Sequence, residues 1–206
     1  MRLTALTVLL LGSLAHRLPG ADARTIVFFG DSLTAGYGLE NPAAEAYPAL
    51  IGKKLAAAGL PWRVVNAGLS GDTSAGGERR LDWVLRQPVD IFVLALGAND
   101  GLRGFDPAVT RANLEAIVER VRARYPAAKI VLAGMRMPPN LGEDYTRAYA
   151  ATFPRVAAEE HLPLIPFLLA GVGGNPALTQ ADGLHPTAAG DAIIADTVWQ
   201  TLQPLL

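Results

Sequence analysis

The sequence predicts an α/β fold, a three-layer α/β/α sandwich built on a five-stranded parallel sheet. Three observations carry this. Five short runs rich in apolar residues, at 26–29, 62–65, 91–96, 129–133 and 164–165, have strand length and β-branched or aromatic content. Segments of helical periodicity separate them, and strand–helix alternation is the pattern of a parallel sheet covered on both faces. The run Ile91 to Leu96 is apolar at every position, as a strand buried on both faces requires. Short strands and five repeats of the unit favour a flavodoxin-like arrangement.

Each element has its own signals. Ile26-Val27-Phe28-Phe29 is broken by Gly30-Asp31, and Ser32 stands where a helical turn begins. A loop, Gly36-Tyr37-Gly38, leads to a helix from Tyr47 to about Ala58, which Gly59 stops. Trp62-Arg63-Val64-Val65 forms the second strand and runs out in Asn66-Ala67-Gly68. The next helix is expected from near Thr73, with Leu81, Val84 and Leu85 on one face and Gly76-Gly77 weakening its start. After the third strand, Asp106 as N-cap and Pro107 as first helical residue open a long helix with Leu114, Ile117, Val118 and Val121 as its buried stripe. Lys129 to Ala133 is the fourth strand; a Pro-Pro loop and a helix from about Asp144 to His161 separate it from the fifth, Leu164-Ile165. Thr187 caps a last helix with Ile194, Val198 and Leu202 on one side.

The chain of 206 residues is expected to form one domain with a sizeable core. Half of the residues are hydrophobic and 18% are charged, which is a globular rather than a disordered composition. The formal net charge is −1 with no basic block, so no nucleic-acid partner is expected. Cysteine is absent, which rules out a disulfide, a thiolate metal site and a cysteine nucleophile. Neither glycine-rich phosphate-loop pattern occurs. No metal or cofactor is expected. Residues 1–23 read as a secretory signal peptide: Arg2, then the apolar stretch Leu3 to Ala15, then Ala21-Asp22-Ala23 with cleavage after Ala23. The apolar stretch is shorter than the roughly 20 residues of a membrane span. Cleavage removes two arginines and one aspartate, taking the formal charge from −1 to −2. A periplasmic or secreted monomer is expected, with residues 24–206 as its single domain.

Chemistry collects where the strands end. Ser32 follows the first strand, Gly68 the second and Asn99 the third, and in a parallel sheet these positions share one edge. Asp182-Gly183-Leu184-His185-Pro186, on the loop before the last helix, reaches the same edge. A serine nucleophile needs a base and a group to orient that base. Histidines are few: His16 in the leader, His161 and His185. His161 closes a helix at the opposite edge, where a cation near a helix C-terminus is an adequate role. His185 is the remaining base, and Asp182, three residues earlier, is placed to orient it. Candidate donors to an oxyanion are the Ser32 and Gly68 N–H groups and the Asn99 side-chain amide. Gly68 taken alone reads better as a turn glycine, and Asp182 taken alone can also be read as a turn aspartate.

Gly30-Asp31-Ser32-Leu33, Gly68, Gly97-Ala98-Asn99-Asp100 and Asp182-Gly183-Leu184-His185-Pro186 resemble, in order and separation, the four signature blocks of the GDSL, or SGNH, hydrolases. The resemblance spans essentially all of residues 24–206. Asn66 to Ser74, Asn99 to Phe105 and Met135 to Pro138 are similar to a narrower group, the bacterial periplasmic arylesterases and multifunctional acyl-CoA thioesterase/lysophospholipases. It implies an SGNH hydrolase fold, Ser32 as nucleophile, His185 as base, Asp182 as its orienter, and an oxyanion hole of Ser32, Gly68 and Asn99. It further implies metal-free hydrolysis of acyl esters or thioesters, lysophospholipids among them, and a mobile loop near residues 134–143 over an acyl groove. The alternatives are a carbohydrate O-deacetylase or acyltransferase on the same scaffold, and a binding protein that has lost the chemistry.

Overall fold

The computed structural model describes residues 24–206, so the expected signal peptide and cleavage after Ala23 lie outside the described residues. Five parallel strands form the sheet: β1 (Arg24–Gly30), β2 (Trp62–Gly68), β3 (Ile91–Ala95), β4 (Lys129–Ala133) and β5 (Leu164–Ile165). The order is β2-β1-β3-β4-β5. From β1 the chain steps outward to β2, then returns to place β3 on the other side of β1. This reversal opens a crevice beyond the carboxyl ends of β1 and β3, where open α/β sheets bind ligands. Gly30 is in register with Gly68 on one side and Ala95 on the other, so the three strands end level.

The described residues form eight α-helices around the sheet: α1 (Ser32–Ala35), α2 (Pro42–Glu45), α3 (Tyr47–Ala57), α4 (Ser74–Val84), α5 (Ala98–Leu102), α6 (Pro107–Arg124), α7 (Glu143–Glu159) and α8 (Ala188–Leu202). α3 packs with α8 on one face, and α4, α6 and α7 pack in sequence on the other. Alternation along β1 feeds both layers, since successive strand side chains point to opposite faces. Phe28 meets Tyr47 of α3 edge-on at 5.5 Å between ring centroids, while Phe29 meets Phe92 at 5.3 Å within the other layer. All of these rings are fully buried, and truncating such a phenylalanine to alanine costs about 3–5 kcal/mol.

The expected strands and long helices are present within two residues of the bounds read from the sequence, except that β2 continues three residues past Val65 to Gly68. The Asp106 cap accepts the Ala108 N–H at 2.8 Å, and Thr187 accepts the Gly190 N–H at 3.3 Å. α2 and α5 are too short to show helical periodicity, and the sequence pattern misses them. Gly76-Gly77 does not weaken α4 but admits it: a Cβ on Gly77 would lie 2.2 Å from Leu96 Cδ1, and one on Gly76 would lie 1.9 Å from Asp72 Oδ1. Close contact, with the sheet layer at Gly77 and with the turn before α4 at Gly76, explains both glycines.

Candidate active site

Ser32 is the first residue of α1, one step beyond Asp31, which caps that helix by accepting the Leu33 N–H at 3.0 Å. Asp31 is fully buried and its second carboxyl oxygen has no partner. Desolvation pushes its carboxyl up to about 7, against the Leu33 hydrogen bond and with help from the charges of Asp72 and Asp100. A four-residue helix after a buried strand lifts the serine hydroxyl to the sheet edge and leaves its own N–H at a helix start, without an intrahelical acceptor.

The loop before α8 brings the other two side chains. His185 Nε2 lies 2.9 Å from Ser32 Oγ, and His185 Nδ1 lies 2.6 Å from Asp182 Oδ2. The other Asp182 oxygen accepts the Leu184 and His185 N–H groups at 2.9 and 3.0 Å, an Asx turn that aims the carboxylate at the imidazole. Desolvation alone would raise the Asp182 carboxyl; hydrogen bonds from the His185 ring and from the two N–H groups outweigh it and hold the carboxyl at about 2. An ionised Asp182 favours the tautomer with the proton on Nδ1, which leaves Nε2 free to accept from Ser32.

Asn99 lies in α5, directly beyond β3. Its Nδ2 donates to the Asp72 carbonyl at 2.9 Å, which engages one amide hydrogen and leaves the other available. Asp100 anchors the short helix by accepting from the Ser74 N–H at 2.8 Å and the Ser74 hydroxyl at 2.5 Å. Ser32, Asn99 and His185 share a cavity of about 440 Å³ whose other walls include Leu102, Met135, Met137, Pro139, Phe167 and Leu184. The expected loop after β4 therefore does border the groove. His161, at φ 50° between α7 and β5, takes no part.

Residues 28–193 match the model of the GDSL-like lipase/acylhydrolase family. The chain belongs to this family. It is 44% identical over 187 residues to esterase TesA of Pseudomonas aeruginosa, covering 90% of this chain and 91% of that one. It is 41% identical to thioesterase 1/protease 1/lysophospholipase L1 of Escherichia coli, over 98% of this chain and 93% of that one. Among solved structures, that of TesA superposes with a TM-score of 0.84 at 43% identity, covering 89% of this chain and all of the other (100%). The esterase EstA from Pseudoalteromonas, inhibited by monoethylphosphonate, gives 0.81 at 33% identity, over 88% and 97% of the two chains. The α/β fold with an all-parallel five-stranded sheet is thus that of the SGNH hydrolases.

For this family member one sequence-based expectation needs correction. Gly68 does not offer a free donor: its N–H is bonded to Asn66 Oδ1 at 2.9 Å. Its glycine identity has another cause, since a Cβ there would lie 2.3 Å from the Ala35 nitrogen at the end of α1. Three residues on, Gly71 has φ 80°, a left-handed conformation that favours glycine. Arg103 Nη2 holds the Gly71 carbonyl at 3.0 Å and Asn99 holds the next one, while the Gly71 N–H makes no hydrogen bond among the described residues. The signal was present in Ser70-Gly71-Asp72, but nothing in the linear sequence distinguishes that glycine from Gly68 at the end of β2. Gln180 was also missed. Its backbone N–H donates to the His185 carbonyl at 2.7 Å, and its Nε2 donates to Tyr37 O at 2.7 Å and Pro186 O at 2.9 Å. It thereby ties the Tyr37 loop to the histidine loop and seats the Tyr37 ring 4.6 Å from the imidazole. Among the described residues, no group of three or more His, Asp or Glu side chains is arranged to hold a metal ion.

Proposed function

We propose that this protein is a serine hydrolase of carboxylic esters and thioesters, with Ser32 as nucleophile, His185 as general base and Asp182 as its orienter. The observation that carries the reading is the pair of contacts on one imidazole, 2.9 Å to Ser32 Oγ and 2.6 Å to Asp182 Oδ2. Ser32 Oγ attacks the acyl carbon while its proton passes to His185 Nε2. The carbonyl oxygen becomes an oxyanion, received by the Ser32 N–H, the free Asn99 amide hydrogen and, in place of Gly68, the Gly71 N–H. His185 returns the proton to the departing alcohol or thiol as the acyl–serine ester forms. Water, deprotonated by His185, then cleaves that ester to release the acid and restore Ser32. Every step uses groups of this chain.

The leucine, methionine and proline walls of the cavity favour an acyl chain over a sugar, and Phe167 is the one Phe, Tyr or Trp among its lining residues. Relatives named arylesterase, in Vibrio mimicus, and thioesterase/lysophospholipase support aryl esters, thioesters and lysophospholipids as substrates. The leader pattern of residues 1–23 supports export to the periplasm. No helix of the described residues is long and apolar enough to cross a membrane. The site is complete within one chain, which supports action as a monomer. Initial rates on p-nitrophenyl octanoate, p-nitrophenyl acetate and acetylated xylan test the reading. The octanoyl ester is expected to be the best of the three; a preference for xylan would transfer the fold to polysaccharide deacetylation.

A further inference from the structure

We infer that Arg80 is a positioning residue for the oxyanion donors, its guanidinium locking the turn that carries Gly71 and Asp72 onto the carboxyl ends of β1 and β2. The inference rests on the serine-hydrolase reading above and adds a side chain that touches neither the nucleophile nor its base. Arg80 Nε donates to Asp72 Oδ2 at 2.6 Å, Nη1 to the Ala67 carbonyl at 2.9 Å and Nη2 to the Gly30 carbonyl at 2.9 Å. The guanidinium carbon lies 4.1 Å from the centroid of the buried Phe29 ring. Its three nitrogens are all engaged and one of its faces is covered by an aromatic ring.

These partners are the points from which the donors hang. The Gly30 carbonyl, one residue short of the Asp31-Ser32 turn, also accepts the Leu69 N–H at 3.0 Å. The carbonyl of Asp72 receives the Asn99 amide at 2.9 Å, and Gly71 immediately precedes it. Ser32, Gly71 and Asn99 follow three different strands, and Arg80 bridges two of those strand ends to the residue that contacts the third. A simple ion pair with Asp72 could be made by lysine. Lysine lacks the rigid planar fork that spans a carboxylate and two carbonyls at once, so the geometry asks for arginine.

The test compares Arg80→Lys with wild type in the full chain, using p-nitrophenyl butyrate and a trifluoromethyl ketone, whose serine adduct carries an oxyanion. A displacement of the donors by a fraction of an ångström to one ångström is expected to lower kcat by up to about 10²-fold. KM is expected to stay within about twofold, since the donors act in the transition state. Affinity for the trifluoromethyl ketone is expected to fall in parallel with kcat, and ethylguanidinium is expected to restore part of the kcat of Arg80→Ala. Retention of kcat and inhibitor affinity by folded Arg80→Lys, with or without a lower Tm, overturns the inference. Should the Arg80 variants fail to fold, Asp72→Ala removes the acceptor of Arg80 Nε, keeps the two carbonyl contacts and the backbone carbonyl that receives Asn99, and carries the same comparison: unchanged kcat and inhibitor affinity there overturn it too. Failure of the underlying reading looks different, because Ser32→Ala would then hydrolyse the ester at the wild-type rate.

Discussion

His185 Nε2 and Ser32 Oγ, 153 positions apart in the chain, stand 2.9 Å from each other. Two local devices bring them together: the strand β1 that ends at Gly30, and the Asx turn at Asp182 that fixes the imidazole before α8 begins. Neither device is a stable structure by itself. The parallel sheet aligns them, because strands that end level deliver their loops to one crevice. Gln180 then holds the histidine loop to the Tyr37 loop, so the distance is set by backbone contacts on both sides.

Ser32→Ala is expected to abolish ester hydrolysis with little change in Tm. The side chain is small and its hydroxyl makes one contact, to His185, so the fold loses little. A fluorophosphonate should label wild type at Ser32 alone, as read by mass spectrometry of the peptide, and should not label the variant. Substantial turnover by folded Ser32→Ala protein would remove the covalent mechanism.

Asp182→Asn is expected to lower kcat by about 10⁴-fold. Asparagine can still accept the Leu184 and His185 N–H groups through its oxygen, but it then presents an amide donor to Nδ1. The imidazole answers by carrying its proton on Nε2, where it cannot accept from Ser32. Because the wild-type carboxyl is held at about 2, Asp182 stays ionised down to strongly acidic pH. Its folded value lies below the unfolded one of 3.8, so its contribution to stability is present above pH 3.8 and is lost as pH falls through about 2. A variant with kcat within tenfold of wild type would break the triad assignment.

How much of this was legible in the sequence follows from the range of the interactions. That Ser32, Asn99, Asp182 and His185 meet at one edge of the sheet was readable because each stands near the end of a strong local pattern, a buried strand or a helix cap. The Gly68 N–H was misjudged because its acceptor is the Asn66 side chain, which the strand pattern treats as one more residue of β2. Gly71, Arg80 and Gln180 depend on partners in other loops, and nothing in a linear pattern marks an arginine in a helix as the bridge between two strand ends. Gly76-Gly77 show the same limit from the other side. Their reason is the proximity of Leu96 and Asp72, which only the packed helix reveals.

Asp191→Asn is expected to raise Tm at pH 8 more than at pH 4. Asp191 sits in the first turn of α8, almost wholly buried, and accepts the Tyr47 N–H at 2.8 Å through one oxygen. Desolvation raises its carboxyl to about 7 in spite of that hydrogen bond, with a smaller push from Glu45. A folded value above the unfolded 3.8 means no penalty below pH 3.8, a growing one as the unfolded chain ionises first, and the full one above about 7. Asparagine keeps the acceptor and removes the ionisation. Its amide nitrogen inherits the unpartnered position of Oδ2, a loss that does not vary with pH. The pH dependence of the Tm difference is therefore the readout, at roughly 2–4 °C per kcal/mol for a chain of this size. A difference that stays constant from pH 4 to pH 8 would mean that Asp191 is ionised in the folded protein at little cost.

Asn99→Ala separates the oxyanion donor from a residue that merely shapes the loop after β3. One of its amide hydrogens is committed to the Asp72 carbonyl at 2.9 Å, so the side chain has both a structural and a chemical claim on it. The chemical role acts on an oxygen that becomes fully charged only in the transition state. Its loss is expected to lower kcat by roughly 10²–10³-fold with KM nearly unchanged. The structural role predicts another signature: a lower Tm and a raised KM as the Gly71-Asp72 turn loosens, with kcat much less affected. Asn99→Asp sharpens the contrast, since a carboxylate beside the developing oxyanion repels it, and kcat should fall at least as far as in Asn99→Ala. Measuring Tm, kcat and KM on one preparation of each variant decides between the roles. Near wild-type kcat in both would remove Asn99 from the oxyanion hole and leave stabilisation to the backbone donors of Ser32 and Gly71.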